Sequence, residues 1–185
     1  MIEPDMVLSD GVIILQPADM KNAQIIFQAA VESLEDLKPW MSWAHDGYSI
    51  NETRTYLESL PQNWADGKIY GFSIFDATGG DFLGGSGLNI ISTDYRSANL
   101  GYWVRSSRRG EGIAVRATRL LAHFAIERLG LVRVEIVVAE GNTASLRVAE
   151  KAGAMREGLQ RNRIIVGEKI YNAWMHSIIP QDLDM

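Results

Sequence analysis

Apolar residues recur along this chain with two periods, and the switches between them divide it into elements. Residues 12–16, VIILQ, predict a first strand. Pro17-Ala18-Asp19 then opens a helix, with Asp19 as its N-cap. Ile25, Ile26, Ala29, Ala30 and Leu34 keep helical spacing, so this helix is predicted to reach about Leu37, where Pro39 stops it. A tryptophan-rich segment, Trp40 to Tyr48, follows. Asn51 can cap a second helix running to about Trp64, with Tyr56, Leu57 and Leu60 on its buried side.

From Lys68 the period changes. IYGFSIF alternates as a strand does, DATGGD reads as a turn, and FLGGSGLNII reads as a strand weakened by glycines. NLGYWVR, 99–105, is a third strand, and the three predict an antiparallel meander. A helix is expected from about Gly112 to Leu129, with Ala117, Leu120, Leu121, Phe124 and Ala125 as its apolar stripe. Arg116, Arg119, His123 and Glu127 fall on its other face, and Gly130 ends it. Strand 132–138 follows, then a short helix capped by Asn142 and closed by Gly153. Two strands, about 158–166 and 169–178, turn at Gly167-Glu168. The order implies an α/β fold, a sheet of mixed direction with a strand–helix–strand unit at its centre.

The 185 residues suit one domain, and no repeat or linker divides 1–185. Cysteine is absent, which removes disulfides, thiolate metal sites and a cysteine nucleophile. His45, His123 and His176 are too scattered to suggest a metal site. A net charge of −5 argues against nucleic acid as a partner. No apolar run is long enough for a membrane span and MIEPDMVLSD is no signal peptide, so a soluble cytoplasmic protein is expected.

The chemistry concentrates in RSSRRGEGIA, 105–114. A strand running into this stretch and then into a helix forms an anion cradle. The first helical turn leaves N–H groups unpaired, and Gly110 and Gly112 let a ligand approach them. Arg108, Arg109 and Arg116 crowd this positive end, where each is unfavourable by roughly 0.3–1 kcal/mol unless something negative is near. A bound diphosphate would reverse that sign; a solvated basic turn is the other reading. No G-x-x-x-x-G-K-[ST] is present, and Val115 interrupts the dinucleotide pattern.

Arg109-Gly110-Glu111-Gly112-Ile113-Ala114 resembles the R/Q-x-x-G-x-G/A signature of the GNAT acetyltransferases. The strand GYWVR before it, and Asn142, Ser145, Glu150, Lys151 and Gly153 after it, look like the RimJ/RimL type of that family, which acetylates ribosomal proteins. The resemblance implies a mostly antiparallel GNAT sheet with a central β-α-β unit that binds acetyl-coenzyme A, flanked by helices. It implies that the backbone of Arg109 to Ala114 holds the diphosphate. It implies that the strand end at Trp103 and Val104 pairs with the pantetheine arm, in a gap where strands 99–105 and 132–138 splay. Asn142 would bond the arm and Ser145 would protonate the departing thiolate, which makes both catalytic candidates. The plainer readings are a helix cap for Asn142 and a backbone bond in its own turn for Ser145. The family often forms dimers, so a homodimer is possible.

The chain departs from the family pattern at Asn99, where many relatives have Glu, and at Arg116, where they often have Glu. Asparagine accepts no proton, so the general base is open among Glu140, Asp94, Asp46 and His45. An α-amine with pKa ~7.7–8.0 is on the order of a tenth neutral at pH 7, against about 0.04% for lysine at ~10.4. Deprotonation therefore costs lysine roughly 3–4 kcal/mol more, and a site with a weak base favours a protein N-terminus over a side chain. A small amine, such as an aminoglycoside or polyamine, is the alternative acceptor. Different classes are a non-catalytic acyl-coenzyme A-binding module and a nucleotide-binding domain. Trp40, Met41, Trp43 and Tyr48 line the acceptor cleft or pack the first helix on the sheet. Tyr171 and Asn172 could reach the acceptor, while Trp64 and Trp174 read as core or interface.

Overall fold

The computed structural model describes residues 6–183. One eight-stranded sheet runs through it, in the order β1-β2-β3-β4-β5-β6-β8-β7. Its strands are β1 (Leu8–Ser9), β2 (Ile13–Pro17), β3 (Tyr70–Asp76), β4 (Phe82–Ser92), β5 (Ser97–Val104), β6 (Arg133–Ala139), β7 (Met155–Val166) and β8 (Lys169–Ile178). Every neighbouring pair is antiparallel except β5 and β6. The expected meander is β3-β4-β5. β1 was not anticipated, and β7 starts three residues before the expected 158.

Among the described residues, six α-helices flank the sheet: α1 (Ala23–Glu32), α2 (Leu34–Leu37), α3 (Ile50–Ala65), α4 (Ile113–His123), α5 (Thr143–Lys151) and α6 (Pro180–Leu183). α4 covers one face, where Ile113, Ala117 and Leu121 pack with Leu88, Leu100, Val134 and Ile136. α1 and α3 cover the other, through Ile26, Ala29, Leu57 and Leu60 against Phe82. Asp19 caps the chain's entry into the first helix, its carboxylate accepting the Lys21 N–H at 2.8 Å.

Three helix expectations are corrected. The first helix does not run unbroken to Leu37: the Ser33 hydroxyl donates to the Ala29 carbonyl at 2.7 Å and accepts the Ser106 N–H at 3.0 Å, and the chain turns there. α3 is capped by Ser49 rather than Asn51, because the Glu52 carboxylate reaches back to the Ser49 N–H at 2.9 Å. Tyr56 is 46% exposed rather than buried, although its hydroxyl end lies against Gly71. The central helix does reach Arg128, but its last turn, Phe124–Arg128, is a wider π turn. Trp64 is half-buried and packs on the core, set edge-on to Tyr70 and Phe72 with ring centroids 4.9 and 5.1 Å away. No helix among the described residues is long and apolar enough to cross a membrane.

Candidate active site

β5 and β6 pair at only three positions: Ser97 with Arg133, Ala98 with Val134, and Asn99 with Glu135. Beyond Asn99, β5 stays bonded to β4 as far as Val104, and β6 stays bonded to β8 as far as Ala139. The two strands therefore part into a V that opens toward their C-terminal ends. The turns into α4 and α5 both stand at that open end, so two helix N-termini overlook the gap. Binding sites of sheets with parallel strands sit at such places.

Gly112 caps α4 in the left-handed conformation, at φ 77°, and Gly110 is left-handed too. Among the described residues, no protein acceptor takes the backbone N–H groups of 110–115. Ile113, 4% exposed, anchors the turn in the core. Glu111, Gly112, Arg116, Arg119, His123 and Lys151 line a groove of about 530 Å³ that continues along α4. A larger hollow of about 1190 Å³ lies elsewhere, between Pro17, Leu57 and Trp64, and shares no residue with the V.

The arginines need no phosphate to be stable. Arg105 pairs with Glu32, Arg109 with Asp36 at 2.5 Å, and Arg116 with Asp10 at 2.6 Å. Arg108 lies between Glu111, Asp76 and Asp81. Contrary to the sequence expectation, the arginines are therefore no mark of a diphosphate, and what the turn offers an anion is its row of unpartnered N–H groups. These pairs also bind the turn to the α1–α2 junction. Glu32 accepts the Ser107 N–H at 3.0 Å, and Asp36 accepts the Ser106 hydroxyl. The Arg105 hydrogen bond, followed by those of Ser107, holds the Glu32 carboxyl down to about 2.

On the far bank, Asn142 Oδ1 accepts the Ser145 N–H at 3.1 Å, so Asn142 does cap α5. The Ser145 hydroxyl bonds no backbone group of its own turn. It stands 2.8 Å from the Tyr102 hydroxyl, whose one proton can go to Ser145 Oγ or to the Ser145 carbonyl, 3.2 Å away. Burial pushes the Tyr102 phenol up to about 12, against a partial downward pull from Ser145. Tyr102 is thus a protonated donor across the range of physiological pH. The motif GYW contains this tyrosine, but strand alternation alone gave no sign that it reaches α5.

Tyr102 and Val104 face the α4 side; Trp103 faces the opposite side. A Cβ on Gly85 would lie 2.7 Å from the Trp103 indole nitrogen, and one on Gly84 would lie 2.1 Å from the Trp103 carbonyl oxygen. The β4 glycines are therefore what lets β4 and Trp103 approach. Trp43 meets Trp103 edge-on at 5.8 Å, and Trp40 meets Tyr171 at 6.0 Å. The tryptophan-rich segment thus spans the V on the face opposite α4, touching β5 with one indole and β8 with the other. Met41 also belongs to this segment.

The four candidate bases fare unequally. Asp94 lies in the β4–β5 turn, at the closed end of the V, and is removed by topology. Asp46 is ion-paired with Lys38 at 2.6 Å, which holds its carboxyl below the usual range. His45 bonds Glu52 at 2.8 Å. Glu140 accepts from Asn172 at 3.0 Å. A row of polar residues that the chain's local patterns do not reveal crosses the sheet at the apex of the V. Asn89 pairs with Asn99, Asn99 with Glu135, and Glu135 with Ser177. Among the described residues, no cluster of three His, Asp or Glu could hold a metal ion.

The family model for the acetyltransferase (GNAT) domain matches residues 13–155, and the chain belongs to the GNAT acetyltransferase family. It is 32% identical over 132 residues to "Probable N-acetyltransferase YjcK" of Bacillus subtilis (strain 168), covering 71% of each chain. RimJ of Mycobacterium smegmatis, solved in complex with CoA-disulfide, superposes with a TM-score of 0.87 at 26% identity, over 98% of this chain and 90% of that one. RimL, a ribosomal L7/L12 alpha-N-protein acetyltransferase solved with coenzyme A, shares the fold with a TM-score of 0.88 at 22% identity, over 97% and 100%.

Proposed function

We propose that this chain transfers the acetyl group of acetyl-coenzyme A to a primary amine, with the N-terminal α-amine of a protein, of the ribosomal type, as the favoured acceptor. The observation that carries this reading is the parting of β5 from β6 after Asn99, with the free N–H groups of 110–115 at the mouth of the gap. A thioester-bearing arm fits there as an added strand. The backbone at Trp103 and Val104 pairs with the arm, and Arg109, Gly110, Glu111, Gly112, Ile113 and Ala114 hold the diphosphate. Asn142, beyond its capping bond, orients the arm.

The amine enters from the face spanned by Trp40 and Trp43 and attacks the acetyl carbonyl. A thiol of reference pKa ~8.5 leaves as its anion with modest help, and Ser145 supplies the proton. Tyr102, donating its proton to Ser145 Oγ rather than to the Ser145 carbonyl, keeps the Ser145 proton turned into the gap. The RimJ and RimL likenesses support a protein acceptor over a small amine.

The test is thermal unfolding with acetyl-coenzyme A and with ATP, followed by mass analysis of a peptide with a free N-terminus. Ligand at about 100 times its Kd stabilises by roughly 2.7 kcal/mol, which raises the midpoint of a chain this size by about 5–11 °C. A shift with acetyl-coenzyme A alone and a peptide heavier by one acetyl group are expected. No shift, or a shift without acetylation of any amine, overturns the reading.

A further inference from the structure

The proposed reaction requires that an ammonium lose a proton, and the family's carboxylate is missing at Asn99. We infer that Glu135 is the general base of this chain, accepting the proton of the incoming amine from the strand beside Asn99. The inference rests on the proposed function.

Three observations carry it. Glu135 is the register partner of Asn99 in this parallel pair, and register partners point to the same face of strands that lie about 4.7–4.9 Å apart. That face is opposite the one where Ala98, Leu100, Val134 and Ile136 pack under α4, so it is the face spanned by Trp40 and Trp43. The pair is also the last before the strands part, so the carboxylate stands at the apex of the V. Asn99 cannot do the work: its amide N–H is donated to Asn89 Oδ1 at 2.9 Å.

The surroundings of Glu135 leave it available. Arg133 Nε bonds Glu135 Oε1 at 2.8 Å, while Oε2 has no partner among the described residues. The rest of the Arg133 guanidinium is taken by Glu157, at 2.7 and 2.5 Å. The Glu135 side chain is 27% exposed, enough to meet a ligand or one bridging water. Arg133 and Glu157 are the charged groups in this row; Asn99 and Ser177 are neutral. Glu157 is the poorer base, since Arg133 holds its carboxyl at about 2 and Ser177 bonds it as well. Glu140 bonds Asn172, which alternates with Trp174 and His176 on the opposite face of β8.

The protons balance. Glu135 takes one proton from the ammonium, and the nitrogen lone pair forms the C–N bond to the thioester carbon. The C–S bond breaks, and the sulfur leaves with the electron pair and takes the Ser145 hydroxyl proton. Ser145 is reprotonated, through water, by the second proton leaving the nitrogen, and Glu135 returns its proton to solvent.

Glu135→Gln, Glu135→Asp and Glu157→Gln are compared in the full chain, with a lysine-free peptide bearing a free N-terminus. General bases contribute about 10²–10⁴-fold, so Glu135→Gln is expected to lose at least about 100-fold in kcat/KM at pH 7. Its Kd for acetyl-coenzyme A is expected to stay within twofold. Its rate should then rise tenfold per pH unit as hydroxide replaces the base, until the α-amine titrates near ~8, whereas the unmodified enzyme is level over that range. Glu135→Asp should keep the level profile at a lower rate, and Glu157→Gln, which opens the other ion pair of the same Arg133, should stay within about threefold. Equal losses in Glu135→Gln and Glu157→Gln overturn the inference, as does a level profile in Glu135→Gln or a rising one in Glu135→Asp. Failure of the unmodified enzyme to acetylate the peptide would instead overturn the proposed function, and the inference with it.

Discussion

The Tyr102 hydroxyl lies 2.8 Å from Ser145 Oγ, and through this contact β5 reaches across the V to α5. A phenol donating to Ser145 Oγ leaves the serine proton for the cleft; a phenol donating only to the Ser145 carbonyl does not. Tyr102→Phe removes one hydrogen bond of about 0.5–1.5 kcal/mol, so kcat should fall about 2- to 12-fold. The Kd for acetyl-coenzyme A should hold. In Ser145→Ala there is no hydroxyl left to orient, so adding Tyr102→Phe should change kcat little further. Fully multiplicative losses in the double variant would show that the phenol acts without the serine.

What the sequence disclosed, and what it withheld, follows one division. Features set by neighbours a few residues apart were legible: Gly112 at the start of α4, Asn142 as the α5 cap, the meander of β3 to β5, and the Asp19 cap. The Ser49 cap was also legible, since S-x-x-E at Ser49 and Glu52 is a capping box, although Asn51 is the more obvious candidate. Features set by register between distant strands were not. Glu135 sits beside Asn99 because β5 and β6 pair at three positions, across an intervening helix. Likewise Arg109 and Arg116 look like unpaired positive charge in the sequence because their carboxylates, Asp36 and Asp10, lie far away along the chain.

Gly112 separates a folding role from a binding role. Its φ is 77°, and no atom lies within 4 Å of the point a methyl group would occupy, so Gly112→Ala meets no clash and only left-handed strain. That strain is roughly 1–2 kcal/mol, or about 2–8 °C in the unfolding midpoint. Gly153 has the same kind of geometry, φ 95° with open space, at the other end of α5. Gly153→Ala should therefore destabilise by a similar amount and keep its affinity for acetyl-coenzyme A. Gly112→Ala should lose affinity as well, because its methyl stands where the diphosphate approaches. Calorimetric titration of both variants checks this, and equal affinities would remove the diphosphate from this turn.

The Glu32 ion pair gives a pH dependence of definite sign. Its carboxyl is lowered from an ordinary 4.5 to about 2. Between those values the unfolded chain binds a proton that the folded chain does not, so stability is present above about pH 4.5 and is lost as pH falls toward 2. Glu157 acts in the same direction through Arg133. Glu32→Gln should lower the unfolding midpoint at pH 7 and decline less steeply between pH 4.5 and 2. Parallel curves for the two proteins would mean that the α1–α2 junction does not hold the turn through Glu32.

The tryptophan-rich segment makes the sharpest division between the two substrates. Trp43 packs on Trp103 at 5.8 Å and on Tyr48 at 5.4 Å, on the face away from α4. It contributes nothing to the Gly110–Ala114 turn, and the adjoining groove along α4 has no residue of this segment in its lining. Trp43→Ala should thus leave the Kd for acetyl-coenzyme A unchanged and raise KM for the acceptor peptide. Aromatic pairs of this kind are worth about 0.5–1.5 kcal/mol each, which sets the expected rise at about 2- to 12-fold if one such contact positions the acceptor. Trp43→Phe, which keeps a ring against Trp103, should recover most of the loss. If both variants raise the Kd for acetyl-coenzyme A and leave the acceptor KM alone, the amine does not enter from this face. The apex at Asn99 and Glu135 would then face no substrate.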